Sequence, residues 1–285
     1  MSYNPQIKPL MWGPHSQVEF AVRDYYENIL GVPPPVAYFP FWERAGNIIH
    51  NYGVGYFNPS YTSALHTWAG DYVTYPNATQ GILTNKALRV VANADFTVLA
   101  TGISAYYAGG SVSAYLFGQS NTGYSITARV VDWSSTWRWG SVSNYVVAGD
   151  IEHTPGTGPR NYAYCRRNGA TNKDYFLYHQ GEQVGTQVNK AAGQLYFSDA
   201  SSPLGIATVN TSADYTGTIG ALTFFDNVGF TLEQAQRAHY EPYAAIQPRS
   251  FPRYFFLSVG DTPPTTYFIP KTMTHKFIPP FIGGN

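Results

Sequence analysis

The sequence predicts an all-β protein, a sandwich or barrel of short antiparallel strands, over about residues 41–230. Short runs rich in β-branched and aromatic residues, such as FTVLATGISAYYA and DYFLYHQGEQVGT, alternate with Gly, Asn, Asp and Ser. The long helical patterns that would alternate with the strands of a parallel α/β fold are lacking. No internal repeat of roughly 20 to 50 residues is visible either. These three observations together favour a single layered β body.

Residues 1–37 are predicted to form an N-terminal arm that contains a short helix at 17–30. Ser16 and Glu19 have the spacing of a capping box at the start of this helix. Gly31, which prolines follow, marks its end. The apolar stripe of the helix is predicted to comprise Val18, Val22, Tyr25 and Ile29.

One β-hairpin is sharply defined by its turn. Residues 175–179 and 182–186 read as strands, and only Gln180 and Gly181 separate them. A two-residue hairpin loop needs positive φ angles, which glycine adopts without steric cost. The sequence therefore predicts a tight hairpin here.

A second short helix, at 231–240, is predicted to close the β body. Thr231 is a good N-cap, Gln234 can complete a capping box, and Pro242 ends the helix. A helix of this length is marginal alone, so we expect its apolar stripe to dock on the preceding sheet. The stripe is predicted to comprise Leu232, Ala235 and either Ala238 or His239.

Residues 246–285 are predicted to form an extended, proline-rich C-terminal arm. The segment 241–285 contains eight of the 20 prolines, and proline has no N–H group for a sheet ladder. The arm also carries large apolar residues, so we expect it to lie in a groove of its own subunit or of a neighbour. The residues predicted to make this assembly contact are Tyr267, Phe268, Ile269, Phe277, Ile278 and Phe281.

Several stretches, taken in their order along the chain, carry a resemblance to a known family. They are YFPFWERAGNIIHNYG, TWAGDYVTYPNA, ADFTVLATG, DYFLYHQGEQVG and YTGTIGALTFFDNVGFTLEQAQRAHYEPY. This series resembles the concanavalin A-like, laminin-G-like jelly-roll domains that occur widely in bacteriophage structural proteins. The resemblance covers about residues 38–255. It implies an antiparallel jelly-roll sandwich over 38–245, a closing helix that packs across the sandwich, and a role in a phage virion.

Composition limits the classes of partner. Aromatic residues make up 16% of the chain and charged residues 12%, against ~25% charged residues in an ordinary domain. We therefore expect a Tyr-rich surface suited to contacts with proteins or sugars. The formal net charge is zero and no basic cluster occurs, which argues against nucleic-acid binding. Patterns for a membrane span or an export signal are also missing from the sequence.

Candidate catalytic residues are few. Asp150 and Glu152, at alternate positions in AGDIEHT, are the one carboxylate pair spaced as in glycosidases of this sandwich class. The longer acidic run of that pattern is missing, because Ala148 precedes the pair and Thr154 follows it. We therefore expect the two carboxylates to mark a solvated strand end. The prediction is that the protein is not an enzyme.

No cofactor or metal is predicted. The seven histidines lack the spacing of zinc ligands. Asp71 or Asp95 could take part in a calcium site of the kind some laminin-G-like domains carry, but an oxygen-rich calcium loop is not visible. The single cysteine, Cys165, excludes an intrachain disulfide and is expected to be a quiet strand residue.

The segment DWSSTWRWG concentrates Trp133, Trp137 and Trp139 around Arg138. Indole rings stack on sugars, anchor protein interfaces and also fill cores, so three roles stay open: glycan contact, partner contact and core packing. Because Trp137 and Trp139 are at alternate positions, we expect them to share one strand face.

Three functions are compatible with these observations. The preferred one is a non-enzymatic phage virion subunit, a capsid decoration or tail-associated protein that binds other virion proteins and copies of itself through its arms. The second is a carbohydrate-binding, lectin-like receptor-binding module that contacts surface glycans. The third is a glycoside hydrolase that uses Asp150 and Glu152. The expected location is the virion, after synthesis in the host cytoplasm without a signal peptide.

Overall fold

A computed structural model gives the arrangement of the chain. It describes residues 8, 13–43, 49–55, 59–61, 67–69, 72–75, 82–84, 94–105, 114–118, 126–131, 136–141, 151–153, 159–168, 173–190, 204–207, 215 and 217–247. The chain divides into two compact units, residues 1–247 and 248–285. The second unit, with the six predicted assembly residues of the C-terminal arm, lies outside the described residues.

Short strands dominate the described part of the chain. Their bounds are β1 Ala37–Phe39, β2 Pro59–Tyr61, β3 Thr67–Ala69, β4 Tyr72–Tyr75, β5 Ile82–Thr84, β6 Phe96–Ala105, β7 Ala114–Gly118, β8 Ile126–Val131, β9 Thr136–Ser141, β10 Ile151–His153, β11 Arg160–Asn168, β12 Lys173–His179, β13 Glu182–Lys190, β14 Gly205–Ile206, β15 Gly217–Ile219 and β16 Ala221–Asp226. The helical elements are α1 His15–Asp24, a π-helix Tyr25–Leu30, α2 Leu232–Tyr240 and a 3-10 turn Ala244–Ile246.

The strands form two antiparallel sheets. Sheet A has the order β13-β12-β11-β6-β15-β4-β3, and β16 pairs with both β6 and β1. Sheet B has the order β10-β9-β8-β7-β14-β5-β2. Neighbours in these orders are often distant in sequence, as where β6 lies between β11 and β16. The predicted all-β antiparallel sandwich with two short helices is therefore confirmed.

The main core lies between the two sheets. Phe117 of β7 meets Phe224 of β16 edge to face, with ring centroids 5.3 Å apart. Trp139 of β9 contacts Tyr162 of β11, with ring centroids 5.0 Å apart. Pairs of aromatic rings in such geometries add to the stabilisation that burial alone gives. The two sheets are thus held together by large rings from both inner faces.

Sheet A is buried on both of its faces. Along β6, Val98 and Ala100 belong to the core between the sheets, whereas Leu99 belongs to a second cluster with the helices. Strand side chains alternate between faces, so a strand covered on both sides must be apolar at consecutive positions. The run FTVLA meets this requirement. The body therefore has three layers: helices, sheet A and sheet B.

The N-terminal helix begins earlier than predicted. α1 starts at His15, after Pro14, and continues directly into the π-helix. The fixed φ of proline suits a helix start, so the predicted Ser16–Glu19 capping box is wrong. Instead, Oε1 of Glu19 lies 3.1 Å from Nδ1 of His15, one helical turn earlier.

The end and the stripe of this helix agree with the sequence except at one position. Gly31, with φ 71°, ends the π-helix in the left-handed conformation. The buried residues of the predicted stripe are Val18, Val22 and Tyr25, while Ile29 is exposed. The π turn changes the angular phase after Asp24, which explains why a stripe counted at α-helical spacing fails there.

The closing helix α2 has the predicted cap but a different buried face. The Gln234 N–H donates to the Thr231 hydroxyl, and the Thr231 N–H donates to Oε1 of Gln234, at 3.3 and 2.9 Å. This confirms the capping box. Ala235 is 3% exposed and Leu232 is 45% exposed, so the prediction that Leu232 docks is wrong. A cap fixes where a helix starts, but the rotation of the helix on the sheet depends on tertiary packing.

The predicted hairpin between β12 and β13 is also confirmed. His179 pairs with Glu182, which leaves Gln180 and Gly181 as the loop. Both have positive φ angles, 54° and 80°, as a type I′ turn requires.

A buried lysine fastens the start of the chain to the body. Lys8 is 3% exposed, and its Nζ donates to the carbonyl oxygens of Pro40 and Gly220, each at 2.6 Å. Its ammonium also lies 5.5 Å from the centroid of the Tyr243 ring. A buried charge is tolerated when such acceptors surround it. Lys8 thus joins segments that are far apart in sequence.

Candidate functional site

Part of the tryptophan segment DWSSTWRWG lies in strand β9, and the rest lies outside the described residues. Trp139 is 0% exposed and contacts Phe117 as well as Tyr162. Because its ring is enclosed between the sheets, Trp139 has the third of the roles that the sequence left open, core packing, and the tentative glycan or partner contact is corrected for this residue. Trp137 and Arg138 are described as strand positions of β9, and Trp133 lies outside the described residues.

The register of sheet B decides which face each position takes. Ala128 of β8 and Trp139 of β9 are paired and buried. Residues directly opposite each other in an antiparallel pair lie on the same face, and successive residues alternate. Position 137 therefore lies on the core side with Trp139. Position 138 lies on the side of sheet B that faces away from the core.

The same register defines a row across four strands on that outer face. Tyr115 of β7 pairs with Arg129 of β8, Arg129 pairs with Arg138 of β9, and Arg138 pairs with Glu152 of β10. We call Tyr115, Arg129, Arg138 and Glu152 the outer row. Sequence reasoning singled out Arg138 and Glu152 but missed Tyr115 and Arg129. Nothing in the linear order of residues relates positions 115, 129 and 152, because strand pairing alone brings them together.

The predicted carboxylate pair is only partly described. Asp150 lies outside the described residues, while Glu152 is the central residue of the short strand β10 at the edge of sheet B. Its register partner is Arg138. The two positions are therefore directly opposite each other on β9 and β10.

A cluster of titratable side chains forms where the start of α1 meets residues 42–52. The ring of His15 stacks on Tyr52, with centroids 4.4 Å apart, and lies 4.9 Å from the ring of His50. The backbone N–H of His50 donates to Oε1 of Glu43 at 2.7 Å. Tyr52 is buried, whereas His15 keeps 37% of its side chain exposed. Sequence reasoning did not predict this cluster, because its members lie on separate segments.

Burial sets the protonation of this cluster. It lowers the pKa of His15, and the neighbouring Glu19 only partly opposes the effect. It also raises the pKa of Glu43, against the hydrogen bond from the His50 backbone. The pKa of Tyr52 is raised as well, by burial and then by Glu43 and Glu19. The cluster therefore favours neutral imidazole at His15 and offers a group that changes charge at mildly acidic pH.

Other features of the described residues do not form a binding site for a sugar or a metal ion. A cavity of about 10 Å³ between α2 and sheet A, lined by Asn161, Gly181 and His239 among others, has room for roughly one water molecule. Burial raises the pKa of Cys165 to about 12, so its thiol is unreactive. Among the described residues, which include Asp95 but not Asp71, His, Cys, Asp and Glu side chains do not gather in threes to hold a metal ion. The helices described are also too short or too polar to cross a membrane.

Solved structures of carbohydrate-active proteins share this fold. A mutant of the Trypanosoma rangeli sialidase that displays trans-sialidase activity matches with a TM-score of 0.54 and 10% identity, over 82% of this chain and 38% of that chain. The sialidase of the same organism in complex with 2,3-difluorosialic acid matches with a TM-score of 0.51 and 12% identity, over 80% and 37%. Domain 4 of AbnA, a GH43 extracellular arabinanase of Geobacillus stearothermophilus in complex with arabinotriose, has a TM-score of 0.49 and 14% identity. The match covers 75% of this chain and 98% of that chain.

These matches establish a likeness of fold. At 10–12% identity the likeness to the sialidases concerns the fold alone, and this chain spans less than two fifths of their length. No family model matches the sequence, and no curated protein matches it. None of the structures named above is a phage protein.

The fold match corrects one prediction from the sequence. The protein was expected not to be an enzyme because a glycosidase motif was missing. The same sandwich occurs within sialidases, which are enzymes. The missing motif therefore does not exclude enzymatic activity, and the prediction that the protein is not an enzyme is wrong in treating it as excluded.

Proposed function

We propose that this protein binds carbohydrate through its β-sandwich, as a lectin-like module. The observation that carries the proposal is the fold shared with sialidase chains at TM-scores of 0.54 and 0.51 over about four fifths of this chain. Those chains act on sialic acid according to their names, and one of them holds a sialic acid derivative. The composition agrees, since a charge-poor, Tyr-rich chain is suited to contacts with sugars.

The layering of the body distinguishes the outer faces of the two sheets. The outer face of sheet A is occupied by the helical cluster that includes Val22, Phe225 and Ala235. The outer face of sheet B carries the outer row of tyrosine, arginine and glutamate positions. Because the helices cover the outer face of sheet A, we assign glycan binding to the outer face of sheet B.

A glycan array probed with the full chain tests this function. The array should include sialylated, arabinose-containing and neutral oligosaccharides, because sialic acid and arabinotriose occur in the names of the similar structures. We expect retention of at least one glycan class at micromolar protein. A matched control is the same chain unfolded in urea, which keeps composition but loses the sandwich. No retention by the folded chain on any glycan would refute the proposal.

The predicted phage virion role stays a prediction. It depends on the proline-rich segments and on the family resemblance of the sequence, and the described residues do not bear on it. Removing residues 258–285 should abolish incorporation into particles that lack this protein, if the arm is the anchor. Normal incorporation of the truncated chain in a co-sedimentation assay would exclude the arm as the anchor. The predicted domain limits and the virion location likewise stay predictions.

A further inference from the structure

Two backbone carbonyl groups bind the ammonium of Lys8 where a strand ladder ends. The pairing of β1 with β16 ends at Phe39 and Leu222, and Pro40, the next residue, has no N–H group with which to continue it. Gly220 directly precedes β16, and both Pro40 and Gly220 are buried. Their carbonyl oxygens each accept from Nζ of Lys8 at 2.6 Å. Because a buried carbonyl group needs a donor, the ammonium supplies N–H groups that the ladder lacks at this point.

The body itself holds the groups around this ammonium in place. The N–H of Gly220 donates to the carbonyl oxygen of Thr101 at 2.9 Å. A Cβ atom at Gly220 would lie 2.6 Å from the hydroxyl oxygen of Tyr243 and 2.8 Å from the Thr101 carbonyl oxygen, so glycine is required for this close packing. Tyr243 is 2% exposed, and its ring centroid lies 5.5 Å from Nζ of Lys8. The contacts that position Gly220 and Tyr243 therefore do not depend on residue 8.

The backbone next to the Pro40 carbonyl is strained. Phe41 is buried and has a φ angle of 51°, in the left-handed region that bulky side chains rarely adopt. Strain of this kind persists only where the surroundings fix the backbone, and it is concentrated at binding sites and other functional positions. The strained torsion follows the peptide group that carries the Pro40 carbonyl. The conformation of Phe41 thus helps to set the direction in which that carbonyl points.

We propose that Pro40, Gly220 and Tyr243 form a binding site for a primary alkylammonium group, and that Lys8 is its built-in ligand. An ammonium group carries N–H donors for carbonyl oxygens, and its positive charge is attracted by an aromatic ring. These three groups carry no formal negative charge, so they suit a singly charged ammonium and not a divalent metal ion, which requires carboxylate ligands. The ligand class is therefore the head group of a lysine side chain. This inference does not depend on the proposed carbohydrate binding.

A site that belongs to the body should persist when its built-in ligand is removed. The variant Lys8→Ala lacks the side chain beyond Cβ, and propylammonium has the carbon and nitrogen atoms that this substitution removes. The empty site should therefore bind propylammonium from solution. A lysine with only a structural role would behave differently, because the groups around it would collapse into the space left by its side chain.

Thermal unfolding of the full chain with and without propylammonium chloride tests the site. Lys8→Ala should lower the thermal midpoint by about 5 °C or more, because buried carbonyl groups lose their donor. Propylammonium at concentrations well above its Kd should restore about 3 °C or more, and the recovery should saturate. The wild type, whose site is filled, should not gain stability in this way. Equal shifts of the midpoint in the variant and the wild type would overturn the proposal.

Two further probes and one variant isolate the role of the ammonium donors. Tetramethylammonium is a cation without N–H donors, and propan-1-ol has a similar size without a charge, so neither should restore the midpoint of Lys8→Ala. The matched control is Arg23→Ala, which removes an exposed cation from α1. Propylammonium should shift its midpoint no more than that of the wild type. Recovery of Lys8→Ala by tetramethylammonium as large as that by propylammonium would overturn the assigned ligand class.

Acetylation of the wild type gives a test that needs no variant. Because Lys8 is 3% exposed, an amine-reactive acetyl ester should modify it about tenfold or more slowly in the native chain than in urea, as mass spectrometry of the peptide that contains Lys8 would show. Equal rates would mean that Lys8 does not fill the site, and they would refute the proposal. If Lys8→Ala does not fold alone, folding that requires propylammonium supports the proposal, and failure to fold in its presence refutes it.

Discussion

The closing helix α2 offers two positions, one turn apart, where the same substitution should have very different effects. Ala235 is 3% exposed and packs in the helical cluster, whereas Leu232 is 45% exposed at the first residue of the helix. A carboxylate at position 235 would be buried without a partner, which costs on the order of 3 kcal/mol or more. Ala235→Asp should therefore destabilise the sandwich strongly.

The estimate for Leu232→Asp is much smaller because two effects oppose each other. Burying a whole leucine side chain is worth about 1.5 to 3 kcal/mol, and roughly half of Leu232 is already exposed, so its loss costs about 1 kcal/mol. A carboxylate in the first turn gains about 0.3 to 1 kcal/mol from the positive end of the helix. The net change should stay below about 1 kcal/mol. The two variants should thus differ by about 2 kcal/mol or more.

Urea unfolding followed by circular dichroism measures this difference at matched pH. Burial would raise the pKa of the carboxyl group introduced by Ala235→Asp, so its penalty relative to the wild type should be full near pH 7 and should fall as the pH approaches about 4. Leu232→Asp provides the matched control for the added charge. Equal free energies of unfolding for the two variants at pH 7 would show that α2 does not dock through Ala235.

Three further predictions concern the cap, the core and the titratable cluster. Thr231→Ala should lower the free energy of unfolding in urea by about 1 kcal/mol, because it removes the side-chain half of the capping box. An unchanged urea midpoint would show that the Thr231 hydroxyl does not cap the helix. Trp139→Ala should lower the free energy of unfolding by about 3 to 5 kcal/mol, since the indole fills the core. Added glycan should not restore this stability. His15 has a lowered pKa, so its contribution to stability is full above about pH 6.5 and declines as the pH falls. His15→Gln should flatten the pH dependence of the thermal midpoint between about pH 7 and 5, and an unaltered profile would exclude His15 as its source.

Features encoded within a few consecutive residues could be predicted from the sequence. The Thr231–Gln234 box and the Gln180–Gly181 turn depend on contacts between near neighbours, and both are present. Local signals fail where the surroundings choose between alternatives. Pro14 provides a helix start two residues ahead of the expected Ser16, and the π turn moves Ile29 out of the buried stripe.

The candidate site depends on information that the linear order lacks. Trp137 and Trp139 could be assigned to one strand face from their spacing, but only the pairing of Trp139 with Ala128 shows that this face is the core. The same pairing places position 138 on the opposite face of the strand from position 139, and position 129 of β8 directly opposite position 138. Hydrophobicity made the tryptophans the obvious candidates for a ligand site, whereas one of them, Trp139, is buried in the core.

Lys8 has a consequence for the order of events during synthesis. One of its two carbonyl acceptors belongs to Gly220, 212 residues later in the chain, and the first strand, β1, pairs only with β16 of the same late region among the described strands. Both contacts must wait until the final strands have left the ribosome, while β11, β12 and β13 can pair with one another as they emerge. A nascent chain halted before residue 220 would therefore keep the Lys8 ammonium in water and leave β1 without its partner strand.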